Sequence, residues 1–343
     1  MDNSITAFNP KFKRKKFVNA SAIVTSKNVT SNSTLDGEHG NTTTIPIKIN
    51  FVCSKDPVGV GRFGVVYKIS NIAAKLLKKD IDSACDLHPE DKEEAVKNVS
   101  NFENMAVKIV VNKSAPNRSY SHSKALKREM TKALKRNKEL SILKSLDHEN
   151  VVRLVCYTCD DIRKHCVEDS DIANTNLCDY ETTRLKENYI SMFLSYMPTT
   201  LQLYLEQFGS LLRGVSLEKK RLGLTLVKQL FDAIGYIKSI NVCHRDIKPS
   251  NILINIDERK LKLSDFGSAI RIPPKMNNQH LEQIKKRTLQ SYVCSRYYRA
   301  PELLLGCSNY SHEIDTWSAG CVVAEMVMAK PLFPGIEYNI GAI

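Results

Sequence analysis

Nowhere in the 343 residues is there a run approaching the ~20 consecutive apolar side chains of a membrane-spanning helix, so no membrane role is expected. The stretch from Met1 to Lys16 also lacks the apolar core of a secretory signal and turns basic instead. A reducing setting, cytoplasm or nucleus, is therefore expected, with the ten cysteines read as free thiols. No internal repeat is visible, which excludes a solenoid or propeller. Acidic residues are in deficit: 37 Asp and Glu against 50 Lys and Arg leave a net charge of +13. Such a balance calls for an anionic partner, whether nucleic acid, an anionic membrane or a phosphate-bearing ligand. Apolar residues at 42% and charged residues at 25% are ordinary globular usage, which argues against a wholly disordered, collagen-like or coiled-coil chain. At ~150 residues per domain the length suggests about two domains.

Residues 1–47 differ from the rest. They are dense in Asn, Ser and Thr and hold the cluster Lys11, Lys13, Arg14, Lys15 and Lys16, so they read as a disordered basic tail. Folded sequence is expected from 48 to 343. Strand-forming residues dominate its start (Ile49, Phe51, Val58, Val65, Val66, Tyr67), and further strands are expected at Met105–Val111 and Tyr189–Leu194. Leu226, Leu230, Ala233, Ile234 and Ile237 recur three or four apart, as on the buried face of a helix. Two short strand-like runs, 252–256 and 261–264, follow, and a last helix near 315–329 is apolar on most sides. Strands first and helices later read as α+β, or as two unlike lobes.

Three motifs carry chemistry. Gly59-Val-Gly61-Arg-Phe-Gly64-Val-Val66 lets a backbone approach phosphate closely, with successive N–H groups turned toward the anion. A dinucleotide-binding unit would place a helix directly after it, whereas strand-forming residues follow here, which favours a hairpin. Met105-Ala-Val-Lys108 sets a lysine in an apolar strand, a costly place unless the cation is paired or functional. Ala73-Ala-Lys75 has the same local look but leaves little room for a turn after Tyr67. The third motif is His244-Arg245-Asp246-Ile-Lys248-Pro-Ser-Asn251 followed by Leu263-Ser-Asp265-Phe266-Gly267. Phosphoryl transfer needs a carboxylate beside the attacking hydroxyl, a cation on the phosphate oxygens and oxygen ligands for Mg²⁺. Asp246 fits the first need, Lys248 the second, and Asn251 with Asp265 the third.

In these motifs the chain resembles a eukaryotic protein kinase. Ser295-Arg296-Tyr297-Tyr298-Arg299-Ala300-Pro301-Glu302 and Asp315-Thr-Trp317-Ser-Ala-Gly320-Cys resemble the CMGC group. Ser291-Tyr292-Val-Cys294, Asp265-Phe-Gly-Ser268-Ala269 and Cys243-His244-Arg245 are most like the glycogen synthase kinase-3 (shaggy) family. The resemblance runs from about Phe51 to Gly335 and implies a bilobal α+β fold: a small β-rich lobe over about 48–196, and a helical lobe over about 197–343. It implies ATP between the lobes, Mg²⁺ as cofactor, and protein serine and threonine hydroxyls as acceptors. Glu139 would pair with Lys108; Val58, Val66, Ala106 and Leu253 would sandwich adenine. Leu194 would be the gatekeeper, and Ser195, Tyr196 and Met197 the hinge. Tyr292 would be autophosphorylated and its phosphate received by Arg296 and Arg299. Asp315 would brace the catalytic loop.

There are departures from that pattern. Of the family's three basic residues for a previously phosphorylated substrate, Arg245 is kept, Lys138 replaces an arginine, and Ile270 stands where a lysine is expected. A residual preference for primed phosphoproteins is the expectation, since lysine gives a point charge without the bidentate fork. The activation segment carries an insertion with Lys285, Lys286 and Arg287, read as a solvated loop. Cys156-x-x-Cys159 with His165, Cys166 and Cys178 suggests zinc, but at a spacing no standard finger uses. Only eight residues follow Gly335, so the helical lobe is expected to lack its last helices, and scaffold binding with them. The alternative function is a catalytically silent, kinase-like interaction module. Nucleic-acid binding lacks interleaved aromatic platforms or a recognisable motif.

Overall fold

A computed structural model of the chain describes residues 18–26, 43–54, 57–61, 64–76, 104–111, 137–158, 189–272, 294–307 and 310–334. The basic cluster of Lys11–Lys16, Tyr292, the 285–287 insertion, and Cys159, His165, Cys166 and Cys178 lie outside the described residues. The chain divides into two compact units. One comprises the described residues up to Asn137 with Leu154–Tyr196; the other comprises Lys138–Arg153 with those from Met197 onward.

The first unit is built of strands: β1 (Val18–Ser26), β2 (Thr43–Cys53), β3 (Gly59–Gly61), β4 (Gly64–Leu76), β5 (Asn104–Val111), β6 (Leu154–Thr158) and β7 (Tyr189–Ser195). Their order is β2-β1-β6-β7-β5-β4-β3, every pairing is antiparallel, and β2 also pairs with β4. That extra pairing closes six of the strands into a ring without a free edge, which removes the liability of unpaired backbone groups. Tyr67, Ile69, Met105, Val107, Ile190 and Phe193 are buried within it.

Here the structure corrects the expected tail. β1 and part of β2 lie within residues 1–47, and β1 pairs along its whole length with β2, from Val18↔Phe51 to Ser26↔Thr43. Polar composition concealed a period-2 signal: Ile45, Ile47, Ile49 and Phe51 alternate with Pro46, Lys48 and Asn50. The folded region therefore does not begin at 48, which falls inside β2.

The second unit holds α1 (Lys138–Leu143), β8 (Thr199–Thr200), α2 (Leu201–Phe208), α3 (Leu217–Ser239), β9 (Val242–Cys243), β10 (Ile252–Asn255), β11 (Lys260–Leu263), β12 (Ile270–Arg271), α4 (Pro301–Leu304) and α5 (Glu313–Met328). Ser216 caps α3, accepting from the Lys219 N–H at 3.3 Å. The predicted stripe from Leu226 to Ile237 is its buried face. α5 buries Ile314, Ser318, Cys321, Val322, Glu325 and Met326 but leaves Trp317 exposed, so it has one outward side rather than burial all round. One unit of strands and one mainly of helices give the α+β class expected.

Candidate active site

Within the first unit, sheet register gathers the nucleotide-type residues. Gly59 lies opposite Val66 and Val66 opposite Lys108; Lys108 lies opposite Met192, and Ala106 opposite Leu194. Directly opposed residues, and those two apart, share a face, so Val66, Ala106, Lys108 and Leu194 line one side of the sheet. Lys108 is 6% exposed, while Val58 is 53% exposed at the mouth of the β3–β4 hairpin. Gly64 is demanded by backbone and packing together. Its φ is +152°, and a Cβ there would run into the Ile109 carbonyl and the Val110 side chain. Ser195 ends β7 and is buried; across the sheet face, the Lys68 ammonium sits 4.8 Å from the centre of the Tyr196 ring. Lys75, the rival lysine, lies farther along β4, opposite Lys48 of β2.

In the second unit two pairings hold the segments expected to carry catalysis and the cation side by side. The hairpin of β10 and β11 (Ile252↔Leu263) joins the end of one segment to the start of the other. Beyond the loops, β9 pairs with β12 (Cys243↔Ile270). His244–Asn251 and Ser264–Gly267 are thus tied at both ends. Leu253 lies in β10 opposite Thr200, and Met197 is buried where the chain returns to this unit.

Asp246 is the centre of the polar cluster, at 7% exposure. Its Oδ2 accepts from Lys248 Nζ at 2.8 Å and from Asn251 Nδ2 at 3.1 Å. Its Oδ1 accepts from the Ser295 hydroxyl at 2.8 Å and the Ser295 N–H at 3.2 Å. Lys248 Nζ also donates to Ser295 Oγ at 2.9 Å. Burial alone pushes the Asp246 carboxyl upward, but the Lys248 hydrogen bond and charge, with the Ser295 hydroxyl, outweigh it and hold the group below its ordinary value. The carboxylate is ionised and aimed, as a group accepting or orienting a hydroxyl proton must be.

The loop itself is held from beneath. Asp315, 1% exposed in the first turn of α5, accepts the His244 N–H at 2.7 Å and the Arg245 N–H at 2.8 Å, the bracing role expected of it. Arg245 occupies the left-handed region at φ +64° and Asp265 at φ +60°, conformations that persist only where neighbours fix them. His244 packs edge-on against Phe266 at 4.8 Å. Its Nε2 meets the Ser264 carbonyl at 2.9 Å and so carries the hydrogen, while Nδ1 accepts the Asp246 N–H at 3.3 Å.

Glu139 is buried in α1 of the second unit, whereas Lys108 belongs to the first. Arg296 is exposed, and Arg299 donates to the Cys294 carbonyl at 2.9 Å. Lys138 is exposed at the start of α1, and Ile270 is only 4% exposed, inside an apolar cluster with Cys243, Tyr310 and Ile314. The Arg245 guanidinium donates to the Ser268 carbonyl at 2.7 Å and the Tyr310 hydroxyl at 3.0 Å. Sequence reasoning missed Ser295 and Tyr310 as contributors; each meets its partner only through tertiary folding, 49 residues from Asp246 and 65 from Arg245. The suggested zinc set loses support at its one described member: Cys156 is fully buried in β6, and burial pushes its thiol far up. Among the described residues no group of three or more His, Cys, Asp or Glu side chains is arranged to hold a metal. Asn251 and Asp265 nonetheless suit a hard cation, which binds through one or two protein oxygens with the remaining positions left to phosphate and water.

The protein kinase domain family matches residues 96–341, leaving the β3–β4 glycine hairpin before the matched span. A similar curated protein is the serine/threonine-protein kinase RIM11/MSD1 of Saccharomyces cerevisiae, 37% identical over 213 residues. The similarity covers 62% of this chain and 48% of that protein, so the chain spans about half the length of this relative. With a family match over well more than half its length, and His244–Asn251 and Ser264–Gly267 inside that match, the chain belongs to the protein kinase domain family.

Proposed function

We propose that the protein is an ATP-dependent serine/threonine kinase of glycogen synthase kinase-3 type, acting on protein hydroxyls with Mg²⁺. The observation that carries this reading is the Asp246 cluster: a buried carboxylate kept ionised by Lys248 and Ser295, with Asn251 bonded to it. Asp246 orients the acceptor hydroxyl and takes its proton; Lys248 steadies the transferred phosphate. Asn251 and Asp265 would hold the divalent cation, which when bound would offset the charge developing on the phosphate. Lys108 grips the nucleotide phosphates, and Ala106, Val66 and Leu253 border the base. Tyr292 is the proposed site of autophosphorylation, and cytoplasm or nucleus the proposed compartment, on composition alone.

The substrate class is the finer part of the proposal. Arg245 is already engaged with Ser268 and Tyr310, and Ile270 supplies no charge. Lys138, exposed, offers a screened point charge. A residual preference for a phosphoserine-primed peptide of about 2- to 5-fold is expected, the scale of an exposed ion pair. The test incubates the full chain with ATP, Mg²⁺ and matched primed and unprimed serine peptides, and locates phosphate by mass spectrometry. Serine phosphorylation that disappears in Lys108→Met supports the kinase reading. Equal turnover of the two peptides sinks the priming preference, and a wild-type chain without transfer leaves the silent interaction module.

A further inference from the structure

We propose that Ser264 is a positioning residue whose hydroxyl locks the two cation-holding residues, Asn251 and Asp265, into one unit and so sets the affinity for a divalent cation–nucleotide complex. This rests on the proposed role of Asn251 and Asp265 as cation ligands. Both donors of Ser264 converge on one acceptor: its N–H reaches the Asn251 carbonyl at 2.9 Å and its Oγ reaches the same oxygen at 2.8 Å. The N–H bond is open to any non-proline residue here, whereas the second bond needs a hydroxyl.

What the clamp holds is a side chain already committed at one end. Asn251 donates through Nδ2 to the Asp246 backbone carbonyl at 2.8 Å and to Asp246 Oδ2 at 3.1 Å. An amide with both N–H bonds directed at Asp246 has a fixed plane, and its Oδ1 is turned away from that carboxylate as the atom left to meet a cation. The Ser264 carbonyl in turn accepts from His244 Nε2, whose Nδ1 accepts the Asp246 N–H. Ser264 is therefore bonded to both ends of the catalytic segment. The next residue, Asp265, sits at φ +60°, a strained conformation whose direction depends on its fixed flanks. Loss of the hydroxyl leaves the β10–β11 hairpin and the backbone bond in place but frees Asn251 relative to Asp265. Cation affinity should suffer more than nucleotide affinity.

The test titrates the full chain with Mn²⁺ in the presence of AMP-PNP, reading free Mn²⁺ by its electron paramagnetic resonance signal. AMP-PNP binding without divalent cation is measured in parallel. Wild type should bind Mn²⁺ saturably and Asp265→Ala should not. Ser264→Ala should weaken Mn²⁺ about 3- to 10-fold, the scale of one lost hydrogen bond, with cation-free AMP-PNP binding unchanged. Ser264→Thr should restore wild-type affinity. The inference is overturned if Ser264→Ala binds Mn²⁺ like wild type, if it weakens cation-free AMP-PNP equally, or if threonine fails to rescue. Failure of wild type to take up Mn²⁺ with AMP-PNP overturns instead the reading of Asn251 and Asp265 as ligands, and the inference with it.

Discussion

A carboxylate as enclosed as Asp246 stays charged only because cations and donors surround it; each of its oxygens has a partner within 2.8 Å. His312 shows the opposite balance. Burial holds this imidazole below its ordinary value of 6.5, against the pull of Asp315 and Glu313 and with the help of Lys238. As pH falls through 6.5 the unfolded chain takes up a proton before the folded one does, so stability present above 6.5 is lost toward lower pH. Urea denaturation between about pH 7.5 and 5 should show this slope, and His312→Gln should flatten it. At this scale the chemistry was legible in the sequence because Asp246, Lys248, Asn251 and Asp265 are demanded by type and order. Ser295 stands out in the sequence only as part of a family string. Its hydroxyl's bond to Asp246 spans 49 residues, and no local pattern announces it.

Elements do the holding. The first turn of α5 presents Asp315 to two consecutive N–H groups of the catalytic loop, and the far end of the same helix carries Glu325, which accepts the Tyr298 hydroxyl at 2.7 Å. Asp315→Ala would leave both amides without their carboxylate, and a loss of about 2–4 kcal/mol is expected in chemical denaturation, since both bonds are charge-assisted, one buried and one part-buried. Gly64→Ala would force a Cβ into the Ile109 carbonyl at a positive φ, and should destabilise the strand-built unit by about 2 kcal/mol or more in the same measurement. β5, β7, β10, β11 and α3 could be read from their periods. β1 and the first half of β2 could not, because Asn, Ser and Thr masked an alternation whose meaning depends on partners far along the chain. Gly64 was legible as a phosphate-loop glycine, yet its packing against β5 needed the fold.

For the molecule as a whole, the finding that changes the sequence picture is the ring of strands closed by β1, which pairs with both β2 and β6. Removing residues 1–26 should open that ring and lower the melting midpoint by about 4 °C or more, at ~2–4 °C per kcal/mol; an unchanged midpoint would show that β1 contributes nothing. The ring presents Lys108, Ala106 and Val66 on one face, and the second unit independently builds the Asp246 cluster and sets Asn251 beside Asp265 along the β10–β11 hairpin. In the proposed function both sets of residues serve one reaction, transfer of the ATP γ-phosphate to a protein hydroxyl. Its most direct test is the initial rate of that transfer to a serine peptide by the full chain and by Asp246→Asn, at saturating ATP and Mg²⁺. Measurable transfer by wild type is expected, with a fall of about 10²- to 10⁴-fold in the variant, the range for a lost general base. Equal rates for the two proteins, or no transfer by a well-folded wild-type chain, would contradict the kinase assignment.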